Sequence, residues 1–255
     1  MRHCLERAAA ALALILILAA PARAADVRLA QSPSGAPLGG VTIEGPIAQG
    51  DFVNFAALVL ATPGANVVWL ASPGGNLSEA LRIGRLIRQL ALEVRAPVDR
   101  AHPLVRLRDA NNNTCASACF FLYVAGVNRQ GSVLGIHTPS LPADEILALG
   151  PDGSLEAHQR IEEATVAYLD LMGAPARYAP LMLTTSSSQM VYLSPADIAR
   201  DFTGIAPGYH EQLRASCQMA GARWSSAEPD CTSRKLAELQ EERRQRTRRH
   251  LLGND

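Results

Sequence analysis

The stretch "TCASACFFLYVAG", Thr114 to Gly126, places one serine, Ser117, between Cys115 and Cys119 and directly before a run of apolar residues. The run predicts a buried helix with Ser117 at its first turn. Amide N–H groups at the start of a helix have no partner within the helix, and they can stabilise a developing negative charge. Ser117 is therefore either a helix cap, the common role of serine at such a place, or a nucleophile.

A unit with the same order of strand, turn and helix precedes this one. Val67 to Ala71 is a continuous apolar run, which is typical of a strand buried on both faces. It ends in a Ser-Pro-Gly-Gly turn that contains Gly74 and Gly75, and apolar residues then recur at helical spacing from Leu77 to Leu90. A glycine amide can approach a substrate carbonyl closely because no Cβ intervenes, so the turn either only redirects the chain or also binds substrate.

A third strand, within Ser132 to Ser140, ends in His137. Histidine titrates near neutrality and can act as a general base, although it also occurs as an ordinary core or surface residue. Earlier in the chain, Val41 to Gly45 and Leu92 to Val98 are predicted as strands, and Asp51 to Thr62 as a helix. Repeated strand and helix units predict an α/β fold whose helices pack on a mostly parallel sheet.

The C-terminal part of the sequence has a mostly helical pattern. Helical spacing covers Leu155 to Met172 and Pro175 to Leu183, and Met190 to Leu193 is predicted as a short strand before a helix capped by Ser194. Arg234 to Leu252 is a charged helix with few apolar positions. That composition predicts a solvated or partly disordered end rather than an arm that binds nucleic acid.

The N-terminus has the order of a secretory signal peptide. Arg2 and Arg7 precede an apolar stretch of 13 residues, Ala8 to Ala20, and small residues lead to a cleavage site after Ala24. A membrane-spanning helix needs about 20 apolar residues, so we expect cleavage and no stable membrane anchor. The mature protein is then exported, and the periplasm is the expected compartment.

Length and composition predict one main domain. A chain of 255 residues, of which 48% are hydrophobic, can bury one sizeable core. The formal net charge is zero, which argues against nucleic acid as a general partner. We expect a signal peptide at 1–24, a flexible lead-in at 25–40, the main domain at 41–206 and a C-terminal extension at 207–255.

Of the five cysteines, Cys4 lies in the signal peptide, and an oxidising compartment favours disulfides between the other four. Four cysteines allow three pairings. We expect Cys217 and Cys231 to pair, because that bond would hold a segment with little apolar signal. Cys115 and Cys119 can pair only if Cys115 lies before the helix proper, and otherwise they are two small buried thiols.

Four motifs together resemble a known family. They are "WLASPGGNLSEALRIGRLI", "CASACFFLYVAG", "LGIHTP" and "MVYLSPADIARDFTGI". Their order and spacing are similar to those of the Clp protease proteolytic subunit and its crotonase-fold relatives, over Val41 to Ile205, and most similar to exported Clp-like periplasmic proteins. The resemblance implies a ClpP/crotonase-like spiral of repeated strand-strand-helix units, followed by a mostly helical extension. Since the relatives are commonly trimers or rings, it also leaves a homo-oligomer open.

The resemblance also implies roles for single residues. Ser117 falls on the family's nucleophile and His137 on its general base, and the oxyanion donors fall on Gly74, Gly75 and the amide of Ala118. In that mechanism His137 takes the proton of Ser117, which attacks a peptide or ester carbonyl to form an acyl-enzyme. A peptide or protein is the expected substrate, and we expect no cofactor and no metal ion.

The sequence departs from the family at the third catalytic residue. The family's acid falls on Met190, and the preceding residues, Ser187 to Gln189, carry no carboxylate. Either His137 works in a pair with Ser117, or another group such as Asp144 orients it, or the chain is catalytically inactive. The periplasm holds no ATP, so we expect no ATPase partner.

Rival functions are compatible with the same fold. A binding or scaffold protein would keep the glycines without needing Ser117 and His137 together. An acyl-CoA enzyme of the crotonase type would use the same oxyanion geometry, but an exported protein is separated from the pool of CoA. A serine-lysine peptidase is disfavoured because the only lysine, Lys235, lies in the tail. The prediction is an exported Clp-like serine hydrolase, with a non-catalytic periplasmic scaffold protein as the alternative.

Overall fold

The computed structural model describes residues 24–99, 104–141, 143–219 and 228–252. The predicted signal peptide at 1–24 lies outside these residues except for its last position. Among the helices that are described, none combines the length and the apolar character needed to cross a membrane.

A six-stranded sheet forms the centre of the fold. In spatial order its strands are β1 (Asp26–Gln31), β2 (Pro37–Glu44), β3 (Val67–Ala71), β4 (Glu93–Arg95), β6 (Asn128–Gln130) and β9 (Gly204–Ile205). Strands β2, β3, β4 and β6 are parallel, and β1 and β9 add antiparallel edges. Strand β3 is buried from Val68 to Ala71, as expected of a continuous apolar run in the middle of a sheet.

Helices pack around this sheet and form the C-terminal region. The described helices are α1 (Asp51–Ala61), α2 (Leu77–Gln89), α3 (Ala118–Ala125), α4 (Ala143–Leu171), α5 (Tyr178–Thr184), α6 (Pro195–Asp201), α7 (Pro207–Met219) and α8 (Glu228–Leu252). Every residue of α3 is buried, so this helix lies at the centre of the core. The predicted α/β class with a mostly helical C-terminal region is confirmed.

A smaller sheet contains β5 (Cys115–Ala116), β7 (Leu134–Ile136) and β8 (Val191–Tyr192). Ser72, which follows β3, adds an isolated parallel bridge to Cys115. Three times in succession the chain therefore passes from a strand of the main sheet to a strand or bridge of the smaller sheet and then into a helix. This order is the repeated strand-strand-helix unit that the family resemblance implies.

Residues 25–40, predicted as a flexible lead-in, contribute β1 and the first half of β2 instead. The two strands pair antiparallel, with Asp26 opposite Glu44. The serine, proline and glycine residues that suggested a loose segment are concentrated in the connection at 32–36. Four of the five paired positions of β2 lie at Val41 to Glu44, just beyond the segment, so the composition of 25–40 alone does not reveal the pairing. The folded unit thus begins well before residue 41.

Helix α8 packs on the fold, in contrast to the solvated or partly disordered end that its composition predicts. Leu236, Gln240 and Arg244 are buried, with exposures of 4%, 1% and 1%. Gln240 donates to the carbonyl of Ala91 at 2.9 Å, and Arg244 donates to that of Ala65 at 3.0 Å. Polar side chains satisfy these backbone carbonyls. Hydrogen bonds from side chains to distant backbone carbonyls leave no pattern of apolar spacing in the sequence.

A disulfide joins Cys217 of α7 to Cys231 of α8, 14 residues later, and links the two helices of the C-terminal extension. Replacing both cysteines by alanine should lower the free energy of unfolding by about 3 kcal/mol, because the unfolded chain regains the freedom of an open loop. Urea denaturation of the variant and the wild type measures the difference. Ser216→Ala, next to Cys217, is the matched control and should stay within about 0.5 kcal/mol of the wild type. Equal unfolding midpoints for the double variant and the control would contradict this role.

Candidate active site

Ser117 connects β5 to α3 in a backbone conformation that is rare for a residue with a side chain. Its φ is 54° and its ψ is −125°. Such conformations cost on the order of 1–3 kcal/mol and cluster at functional sites. The Ser117 amide donates to the Gly135 carbonyl at 2.9 Å, which ties this elbow to β7. The hydroxyl makes no capping hydrogen bond to α3, so the interpretation of Ser117 as a helix cap is wrong.

His137 follows β7 directly, and its Nε2 lies 2.6 Å from Ser117 Oγ. Thr138 holds this strand end, since its amide donates to the Thr185 carbonyl at 3.0 Å and its Oγ1 donates to the Met182 carbonyl at 2.9 Å. Side chains alternate along an extended chain, so anchoring Thr138 on one side directs His137 to the other. The fold thus brings together two predicted site residues that are 20 positions apart in the sequence.

Gly74 and Gly75 form a turn against the elbow, and their φ values of 106° and 133° favour glycine. A Cβ on Gly74 would lie 2.6 Å from the Cβ of Ser117, so only glycine allows this close approach. The Gly74 amide donates to Ser72 Oγ at 3.1 Å. Within the described part of the chain, no acceptor is paired with the amides of Gly75 and Ala118. The Gly74 amide is thus already paired, whereas those of Gly75 and Ala118 have no acceptor among the described residues, and the oxyanion roles of these residues stay predictions.

A disulfide joins Cys115 and Cys119 on either side of Ser117. Cys115 belongs to β5 and lies before α3 begins, which is the arrangement that this pairing requires. Both cysteines are fully buried. The bond holds the end of the strand and the first turn of the helix together around Ser117.

The second ring nitrogen of His137, Nδ1, is buried and has no hydrogen-bond partner among the described residues. Strands β7 and β8 pair with Ile136 opposite Val191, so the next step of the register brings Met190 towards His137. The side chain of Met190 is a thioether, which is a weak hydrogen-bond acceptor, and the resemblance implies a carboxylate at this position. The side chain of Asp144, the other candidate to orient His137, lies outside the described part of the chain.

The unpaired Nδ1 affects which tautomer His137 adopts. To take the proton of Ser117, Nε2 must be unprotonated, which places the ring proton on Nδ1. A buried N–H group without an acceptor costs about 1–3 kcal/mol, and no described residue supplies an acceptor for Nδ1. The arrangement is a serine-histidine pair in which no described side chain fixes the tautomer that a base requires.

Glu44, at the end of β2, anchors the loop that leads to the elbow. Its carboxylate accepts hydrogen bonds from the amides of Arg108 at 2.9 Å and Asp109 at 2.7 Å, and from the Arg28 guanidinium at 2.7 Å. Burial alone would raise the pKa of Glu44, but the two amides and Arg28 outweigh burial and lower the pKa. Glu44 is not among the predicted site residues, although an acidic residue at the end of an apolar strand is a signal for such an anchor.

A cavity of about 560 Å³ opens beside Gly75, between the start of α2 and the middle of α4. Leu77, Leu81 and Ile161 give it an apolar wall, and Glu145 and Arg160 add charge. Pockets of this kind, mainly apolar with a few polar groups, are typical binding sites for small ligands and side chains. Across the described residues, no group of His, Cys, Asp and Glu side chains is arranged to hold a metal ion.

No family profile matches the sequence, and no curated protein matches it. Among solved structures, a mutant of a membrane-bound stomatin-specific protease is similar to this chain at 19% identity, with a TM-score of 0.43, over 68% of this chain and 81% of that one. A mutant of ClpP1 from Listeria monocytogenes is similar at 16% identity, with a TM-score of 0.43, over 62% of this chain and 84% of that one.

Proposed function

We propose that the protein is a Clp-like serine hydrolase that cleaves peptide bonds. The observation that carries the proposal is the distance of 2.6 Å between His137 Nε2 and Ser117 Oγ. The strained backbone of Ser117 and its hydroxyl, which caps nothing, support the role of nucleophile. The amides of Gly75 and Ala118, which have no acceptor among the described residues, are the proposed oxyanion donors. A nucleophile, a base and an oxyanion site are the parts that acyl transfer requires.

In the proposed reaction, Ser117 Oγ attacks the carbonyl carbon of the substrate while its proton passes to His137 Nε2. The amides of Gly75 and Ala118 donate hydrogen bonds to the oxygen that becomes negative. His137 gives the proton to the leaving amine, the peptide bond breaks, and the acyl group stays on Ser117. Water, deprotonated by His137, then releases the acyl group and restores the serine hydroxyl.

The proposed substrate is a peptide or an unfolded protein segment, and the proposed compartment is the periplasm. The cavity beside Gly75 has room for a substrate side chain next to the reacting carbonyl. The two disulfides support an oxidising compartment. Since that compartment lacks ATP, we propose that the enzyme acts without an ATPase partner.

One observation favours a second candidate, a non-catalytic scaffold protein on the same fold. His137 Nδ1 has no acceptor among the described residues, so no described side chain fixes the tautomer in which His137 can accept the proton of Ser117. A scaffold protein does not need His137 to act as a base, whereas a fast hydrolase does. The two candidates differ in whether Ser117 reacts with an electrophile.

Covalent labelling tests the proposed function. The folded protein should react with a fluorophosphonate, and mass spectrometry of the digested product should place the adduct on the peptide that contains Ser117. The reaction depends on the folded site, so protein unfolded in urea is the control and should remain unlabelled. An adduct on another residue, or no adduct after prolonged exposure, would favour the scaffold candidate.

A further inference from the structure

Ser72 is a fully buried serine between β3 and the Gly-Gly turn. Its amide donates to the Thr114 carbonyl at 2.8 Å, and its carbonyl accepts from the Ala116 amide at 3.1 Å. These two bonds flank Cys115, with which Ser72 forms the parallel bridge. The backbone of Ser72 is thereby fixed to the strand that leads to Ser117.

The side chain of Ser72 makes a different connection. Its Oγ accepts the hydrogen bond of the Gly74 amide at 3.1 Å. The Gly74 carbonyl accepts from the Ile47 amide at 2.7 Å, which secures the other side of the turn. Together these bonds hold Gly74, and with it the following Gly75, at positive φ values.

We propose that Ser72 is a positioning residue that sets where the Gly75 amide lies relative to Ser117, an inference that rests on the proposed hydrolase function. The backbone bonds of Ser72 reach the elbow, and its hydroxyl reaches the turn, so one residue joins both sides of the oxyanion site. The turn lies in close contact with the start of α3, because a Cβ on Gly74 would lie only 2.8 Å from the Ala118 amide nitrogen. A small shift of the turn therefore changes where the Gly75 amide lies relative to Ser117. Without the hydroxyl, the Gly74 amide loses its acceptor and the turn can rotate.

Ser72→Ala should slow fluorophosphonate labelling of Ser117 about 10- to 100-fold, since an oxyanion donor acts only when it is well placed. Ser72→Thr keeps a hydroxyl and should recover most of the labelling rate. In peptide hydrolysis, the loss should appear in kcat with KM nearly unchanged, because the oxyanion forms after substrate binding. Thr42→Val is the matched control, since Thr42 carries another fully buried hydroxyl, in β2, and this variant should keep the wild-type rate.

Amide hydrogen exchange separates this inference from the proposed function. Ser72→Ala should speed exchange at the Gly74 amide by at least about 10-fold, and Thr42→Val should not, whether or not the protein reacts with the probe. Wild-type labelling by a folded Ser72→Ala variant, or unchanged exchange at Gly74, would overturn the positioning role. If the wild type itself is not labelled, the hydrolase proposal fails, and the exchange rates alone decide the role of Ser72.

Discussion

Replacing Ser117 by alanine should abolish covalent labelling and reduce peptide or ester hydrolysis to the background of the remaining oxyanion site. Loss of the nucleophile costs about 10⁶-fold in a serine protease with a complete triad, and loss of a correctly oriented histidine tautomer costs about 10⁴-fold. Because no described residue accepts a hydrogen bond from His137 Nδ1, we expect the wild type to begin with part of this loss. We therefore expect a reduction of about 100-fold in kcat/KM for Ser117→Ala.

Ser34→Ala is the matched control for this experiment, because Ser34 is exposed, lies in the connection between β1 and β2, and does not line the cavity beside Gly75. It should keep labelling and hydrolysis close to those of the wild type. Circular dichroism should confirm that both variants fold. Equal labelling of Ser117→Ala and the wild type would refute Ser117 as the nucleophile.

Met190→Asp should increase hydrolysis, by up to about 1,000-fold in kcat/KM. A carboxylate beside His137 would accept the proton on Nδ1, select the reactive tautomer and stabilise the imidazolium that forms when Ser117 loses its proton. The register of β7 and β8 brings position 190 towards His137. A buried, unpaired carboxylate can cost about 3–5 kcal/mol in folding, but Met190 is 37% exposed, which reduces this penalty.

Two further variants identify the cause of any gain. Met190→Asn has nearly the same shape as the aspartate but no charge, so it should give a smaller increase. Gln189→Asp places a carboxylate one residue away and should give none. Stability is measured by thermal unfolding alongside activity. A folded Met190→Asp protein without any gain, together with unchanged background hydrolysis in His137→Ala, would favour the scaffold protein over the hydrolase.

The pairing of Ser117 and His137 was expected from the family resemblance, and the structure supplies a physical reason for it. Both residues follow strands of the smaller sheet, β5 and β7, and these strands are parallel neighbours. Residues that follow neighbouring parallel strands meet at one edge of a sheet. The local pattern predicted a strand before His137 but none at Cys115–Ala116, because a strand of two residues is too short to show a period.

Other features depended on hydrogen bonds that hydrophobic spacing does not encode. The Gly74 amide donates to the side chain of Ser72, two residues before it. Strand β1 is ordered by pairing with β2, and α8 is held by hydrogen bonds from Gln240 and Arg244 as well as by the buried Leu236. In each case a backbone polar group is paired, and the spacing of apolar residues carries no information about its partner.

Helix α8 and the Ser117 site lie at opposite edges of the parallel strands. The helix binds the carbonyls of Ala65 and Ala91, which come just before β3 and β4, whereas Gly75 follows the end of β3. The two edges are joined through the sheet and through α2, whose last residue, Gln89, donates to Thr247 of α8 at 3.0 Å. We therefore expect damage to α8 to shorten the lifetime of the folded protein more than it changes the chemistry of the molecules that remain folded, so durability and turnover can evolve largely separately in this chain.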